Sequence, residues 1–144
     1  MSKHRAHAQW KGPLPTGTGT MQLGAAGPVI GYTLNARVME EAGTNPEQMV
    51  GAAHAGCFSM ALSNLIEETG QDMSGVVVDT DALVHLNQKS DGFWIDRIDL
   101  TCRGVVPGMS EETFVALAEK AKATCPVSKL YASADITLDA ALAG

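Results

Sequence analysis

No basic block interrupts this chain. Lys and Arg together number 10 against 16 Asp and Glu, a net charge of −6, which argues against a protein that grips a nucleic-acid backbone. No apolar run approaches the roughly 20 residues of a membrane helix, so no spanning segment is expected. The start, Met1-Ser-Lys-His-Arg-Ala-His7, is basic but lacks an apolar stretch behind it, so no signal peptide is expected either. Cysteine is scarce. Three is an odd count, poor for a secreted disulfide framework, and the cytosol is the expected compartment. No Cys-x-x-Cys occurs, which argues against thioredoxin-like exchange. His4 and His7 have no matching cysteine or carboxylate cluster, so a metal site is not expected. Gly17 and Gly19 lack the strand–glycine–helix setting of a phosphate loop. Neither metal nor cofactor is therefore expected.

What is present suits one globular domain over residues 1–144, with 45% hydrophobic residues for a core. Internal repeats and low-complexity linkers are lacking. His4–Lys11 alternates and reads as a strand, and Gly12–Gly19 as a turn. Thr20–Leu23 and Val29–Val38 read as further strands, and Glu40–Thr44 as a loop. Asn45-Pro46-Glu47 has the chemistry of a helix start: Asn as N-cap, Pro at the first helical position, Glu in the first turn. That helix is expected to reach about Thr69 and stop at Gly70. It is apolar nearly all round, so it should be buried on most sides. Val76–Asn87 and Phe93–Val105 read as strands about Ser90-Asp91-Gly92. Ser110 caps a second helix ending near Cys125, because Pro126 disfavours helical geometry in the residue before it. Lys129–Ala132 reads as a connector and Ala134–Leu142 as a last strand. The order β-β-β-α-β-β-α-β is α+β, with a mostly antiparallel sheet and a long buried helix.

Two cysteines stand in unlike helical settings. Cys57 lies within Gly43-Thr-Asn-Pro-Glu-Gln-Met-Val-Gly-Ala-Ala-His-Ala-Gly-Cys57-Phe-Ser-Met-Ala-Leu62, and Cys125 opens Cys125-Pro-Val-Ser128. They are either a reactive thiolate with a resolving thiol, or two small buried residues. A reactive thiolate needs positive charge nearby, because a free thiol with a pKa of about 8.5 is only slightly ionised at neutral pH. Its helix carries no Lys or Arg between Asn45 and Thr69. Arg37, just before that helix, is the best candidate; otherwise it is a surface arginine. Glu47 and Cys57 lie about 80° apart around the helix, so the Glu47 carboxylate can orient Arg37, or simply complement the helix N-terminus. His54, one turn before Cys57, makes a Cys57/His54 hydrolase or acyl transferase an alternative; a packed core histidine is the plainer reading. Cys102 sits in a strand pattern and reads as structural. Phe58, Met60, Met49, Val50, Ala53 and Leu62 suggest an apolar wall around Cys57.

The Gly43–Leu62 stretch resembles the signature of the OsmC (osmotically inducible protein C) family, relatives of the organic hydroperoxide resistance proteins. Cys125-Pro-Val-Ser128 resembles the family's second cysteine motif, and the likeness runs over nearly the whole chain. It implies an OsmC-like fold with two chains intertwined around their central helices. It also implies a cofactor-free peroxidase that reduces organic hydroperoxides. In that reading Cys57 is oxidised to a sulfenic acid, Cys125 closes a Cys57–Cys125 disulfide, and Arg37 beside Glu47 contacts Cys57. An external dithiol, a lipoylated protein or dihydrolipoamide in related proteins, then resets the pair. A non-catalytic stress or ligand-binding protein on the same fold is a further alternative.

Overall fold

The computed structural model describes residues 1–39 and 42–143. Glu40 and Glu41, the start of the expected Glu40–Thr44 loop, lie outside them. The chain forms two compact units, Met1–Met49 and Val50–Gly144.

In the first unit, β1 (Ala6–Lys11), β2 (Thr18–Leu23) and β3 (Val29–Tyr32) form an antiparallel sheet in chain order. Trp10, Gly19 and Tyr32 share one register line, and the two rings sit 5.4 Å apart. A Cβ on Gly19 would come within 3 Å of both, so only glycine fits between them. The expected strand Val29–Val38 is corrected here. It ends at Tyr32, and Leu34–Val38 is a short helix, α1. Thr33 is the reason: its hydroxyl accepts the Ala36 N–H at 3.2 Å and caps the turn. Arg37 thus projects from a helix, not a strand.

The helix α2 (Pro46–Glu68) starts where its sequence cap predicts. Asn45 Oδ1 accepts the Gln48 N–H at 2.8 Å, and Gln48 Oε1 accepts the Asn45 N–H at 3.3 Å, a reciprocal capping box. Asn at this position is worth about 1 kcal/mol over alanine. Asn45 Nδ2 also donates to the Ala36 carbonyl at 2.9 Å, tying α1 to the head of α2.

In the second unit, β4 (Val77–Lys89) and β5 (Gly92–Val105) form a long hairpin. Between β5 and β6 (Asp135–Leu142) come α3 (Glu111–Thr124) and α4 (Pro126–Leu130). The sheet order is β4-β5-β6, and β6 runs parallel to β5. Two helices intervene, so the chain crosses over rather than turning back, and the strand pairing remains mostly antiparallel, as expected. The connector expected at Lys129 is corrected, since α4 extends through Leu130. Ser110 caps α3 as expected, its hydroxyl accepting the Thr113 N–H at 3.2 Å.

The core lies in this unit. β5 buries every second residue, Ile98, Leu100, Cys102 and Gly104. Gly104 makes room for the Phe114 ring of α3. From α2 come Phe58, Leu62, Leu65 and Ile66; from α3, Phe114, Ala118 and Ala121. Cys102 is wholly buried among them, in keeping with its structural reading. α2 lies against β4, where Gly51 faces Ala82 and Val84 and the Ser59 hydroxyl donates to Thr80 at 2.8 Å.

Two expectations about α2 change. By length and composition it is apolar enough to cross a membrane, because its alanines, methionines and larger apolar side chains add up across 23 residues. Within this chain it is buried along one stripe rather than on most sides. His54, Phe58, Leu62 and Ile66 face the core at i, i+4 spacing, while Ala52, Ala53, Gly56 and Met60 face outward, Met60 at 76% exposure.

Candidate active site

Cys57 sits at mid-length on α2, partly buried, and Cys125 is wholly buried where α3 meets α4. Both are free thiols. Pro126 sets the second position. It pushes Cys125 out of helical geometry, to φ −54° and ψ 127°, so that one residue ends α3 and begins α4. Its N–H still donates to Ala121 at 2.8 Å, and its carbonyl accepts from Lys129 at 3.1 Å.

The fold brings the two thiols together, and each acts directly on the other. Burial pushes the Cys57 thiol up, and its hydrogen bond to Cys125 adds to this; only the Val127 N–H opposes. Burial also disfavours a charge on Cys125. There it is outweighed by the Cys57 thiol, by the Ser128 N–H and hydroxyl, and by the Val127 N–H, so the Cys125 thiol is drawn below its ordinary value. Within this unit the donors at the head of α4 therefore bear mainly on Cys125. No Lys or Arg among the described residues contributes to the shift of Cys57.

His54 is buried completely on the core stripe of α2. Its Nε2 lies 2.8 Å from the Ser128 hydroxyl, and the Tyr131 ring meets it edge-on at 5.5 Å. Nδ1 has no partner among the described residues. Among the described residues neither ring nitrogen is paired with Cys57, Nε2 being taken by Ser128, which favours the packed core histidine over the Cys57/His54 dyad. Burial also lowers the His54 pKa, so the ring is neutral at pH 7. Ser128 escaped notice as a separate residue in the sequence, where it stood only as the end of the second motif. The signal available was its place at the third position of α4, where a side chain turns back toward the N-cap.

Arg37 and Glu47 meet in the first unit. Arg37 Nε donates to Glu47 Oε1 at 2.9 Å, and Nη2 reaches the same oxygen at 2.6 Å. Both nitrogens share one oxygen, and Glu47 Oε2 is buried without a partner among the described residues. Glu47 is nearly inaccessible, whereas the Arg37 side chain is 36% exposed. The carboxylate is thus the fixed half of the pair. Arg37 also borders an open cavity of about 460 Å³ whose apolar wall comes from Trp10, Leu14, Tyr32, Leu34 and Pro46.

The apolar wall expected around Cys57 is corrected in part. Phe58 and Leu62 are wholly buried in the core and offer nothing to a ligand, while Met60 is exposed. Trp10, Leu14 and Tyr32 line the cavity of the first unit, which no local pattern in the sequence marks. Among the described residues no cluster of His, Cys, Asp and Glu could hold a metal.

The sequence profile of the OsmC-like protein family matches residues 39–139. Peroxiredoxin OsmC of Escherichia coli is 42% identical over 138 residues, covering 94% of this chain and 93% of that protein. The organic hydroperoxide resistance protein of Xanthomonas axonopodis pv. citri is 34% identical over 97 residues, covering 67% of this chain and 66% of its own. Among solved structures, the organic hydroperoxide resistance protein OhrB of Bacillus subtilis superimposes with a TM-score of 0.72 at 24% identity, covering 94% of this chain and 97% of that one. With its α+β order, its paired thiols and a match through both cysteine motifs, this chain belongs to the OsmC-like protein family.

Proposed function

We propose that this chain is a thiol-dependent peroxidase that reduces organic hydroperoxides to alcohols. The observation that carries this is the meeting of Cys57 and Cys125, distant in sequence, as interacting free thiols beside the α4 donors. The printed names of the relatives, a peroxiredoxin and an organic hydroperoxide resistance protein, agree with it.

The steps balance as follows. The Cys57 thiolate attacks the terminal peroxide oxygen, the O–O bond breaks, and the alkoxide leaves and takes a proton to become the alcohol. Cys57 is now a sulfenic acid. The Cys125 thiolate attacks its sulfur, expels hydroxide, which leaves as water, and closes the disulfide. An external dithiol supplies two electrons to reopen it, and a lipoyl-type dithiol is the class proposed. Such a cycle suits a reducing compartment, the cytosol. Arg37, oriented by the buried Glu47 at the head of the helix that carries Cys57, supplies the positive charge that this buried thiol requires. Residues 1–144 act as one OsmC-like domain, consistent with a similarity to the Escherichia coli protein over 94% of the chain.

The substrate's tail is expected to meet apolar surface. Burying a tail gains about 0.8 kcal/mol per methylene, and hydrogen peroxide has none to bury. Stopped-flow oxidation by cumene hydroperoxide should be at least about tenfold faster than by hydrogen peroxide, a barrier difference of ~1.4 kcal/mol. Mass spectrometry after one equivalent should find the 57–125 disulfide. Thiols left reduced by either peroxide would favour a non-catalytic binding protein instead.

The working form is proposed to be a homodimer. The outward face of α2, with Ala52, Ala53, Gly56 and Met60, is apolar and unoccupied within the described residues, and a second copy covers it. Light scattering at low micromolar concentration should give twice the 15.1 kDa chain mass; a folded monomer there would contradict this.

A further inference from the structure

His54 and Ser128 are buried polar groups that the steps above do not use. Their geometry is specific. Ser128 is the third residue of α4 and Cys125 is its N-cap, so the two share one turn, and the Ser128 N–H and hydroxyl both help draw the Cys125 thiol down. Behind Ser128 stands His54 Nε2, 2.8 Å from the hydroxyl and shut away from water.

The direction of the hydrogen bonds follows from the unpartnered nitrogen. A neutral imidazole carries one N–H. If it were on Nδ1, a donor would be buried with nothing to receive it, which is the rarer and costlier kind of orphan. The proton therefore resides on Nε2, and Nδ1 is left as a bare acceptor. Nε2–H then donates to Ser128 Oγ. That frees the Ser128 O–H to donate onward to sulfur, and each donor polarises the next.

We propose that His54 and Ser128 form a hydrogen-bond donor relay that stabilises the thiolate of Cys125. The inference rests on the resolving role given to Cys125 above. The same thiolate serves twice. It attacks the Cys57 sulfenic sulfur when the disulfide closes. It is also the leaving group when a reductant thiolate attacks the Cys57 sulfur, the S–S bond breaks, and its electron pair returns to Cys125. A better-stabilised leaving thiolate departs faster. His54 stays neutral throughout and transfers no proton. Both are positioning residues, His54 acting through Ser128.

Few other groups bear on this pair. The titratable group acting on Cys125 is Cys57 from α2, and the group facing His54 is Tyr131, just after α4, whose own pKa burial raises. Cys102 of β5 shares the core and is held protonated by burial. Among the described residues no Lys, Arg, Asp or Glu contributes to the shift of Cys125 or His54.

The test needs no peroxide, so it can fail independently of the peroxidase reading. Thiolate absorbance of the reduced protein is followed against pH. In the Cys57→Ser background, where Cys125 is the thiol followed, its thiolate should titrate about one pH unit higher on adding Ser128→Ala or His54→Leu, a tenfold loss of thiolate well below the midpoint. Ser128→Thr and His54→Gln, which keep a hydroxyl and a donor nitrogen, should stay near the parent value. The double variant His54→Leu/Ser128→Ala should shift no further than Ser128→Ala alone. An unchanged midpoint in either single variant would overturn the relay. Nitrogen NMR of the unaltered protein provides a second arm free of folding questions. It should find the proton of His54 on Nε2, and a proton on Nδ1 would likewise overturn the proposal.

Discussion

Cys125→Ser is expected to consume one equivalent of organic hydroperoxide and then stop. The first chemical step needs only Cys57, so the variant should release one alcohol per chain at a rate within a few-fold of the parent. No thiol then follows to close the disulfide, and sulfenic acid should persist at Cys57 until a trapping reagent or excess peroxide removes it. Cys57→Ser should instead lose peroxide consumption by roughly 10³-fold or more, as expected when a nucleophile is deleted. The contrast separates the two sulfurs, which static burial does not. It is a demanding contrast, because the donors at the head of α4 draw the Cys125 thiol down while burial pushes the Cys57 thiol up. Sulfenic acid on Cys125 in the Cys57→Ser protein, identified by peptide mapping, would reverse the roles.

Arg37→Ala is expected to slow oxidation of Cys57 at pH 7 by roughly tenfold or more. An opposite charge within reach of a thiol lowers its pKa by about 1–3 units, and burial pushes this thiol the other way. The sign is fixed. Losing the cation raises the thiol pKa, thins the thiolate at neutral pH, and leaves the rate intact once the pH exceeds the new value. A plot of oxidation rate against pH should therefore shift to the right and converge with the parent at high pH. Arg37→Lys should not rescue fully. Arg37 spends Nε and Nη2 on Glu47 Oε1 and keeps Nη1 uncommitted among the described residues, whereas an ammonium cannot hold a carboxylate and face a sulfur with the same fixed fork. Overlapping rate profiles for Arg37→Ala and the parent would leave Arg37 without a catalytic part.

The parts of this molecule that were legible in the sequence are those decided by near neighbours. Asn45-Pro46 marks the head of α2 because an N-cap and a proline act within one turn, and Gly70 marks its end, with a φ of 84° that favours glycine. The β4–β5 hairpin was legible from alternation and the turn between them. The illegible parts are those decided at a distance or by competing local signals. Val29–Val38 reads as one continuous strand, whereas Thr33 caps a helix within it. Pro126 was read as an end to α3, and it is equally a beginning, since a proline at the first position of a helix loses no hydrogen bond. The parallel pairing of β6 is set by a crossover no window of residues can display. His54 and Ser128 are 74 positions apart, and nothing near either names the other. For the cysteines, resemblance suggested a meeting that spacing alone left open.

Cys125 has a mechanical consequence beyond its chemistry. Its N–H closes the last turn of α3 and its carbonyl opens the first turn of α4, while its own torsions belong to neither. Those two torsions set the angle at which α4 leaves α3, and the sulfur sits at the corner itself, so the direction of the bond that carries it and the meeting of the two helices are fixed by the same pair of angles.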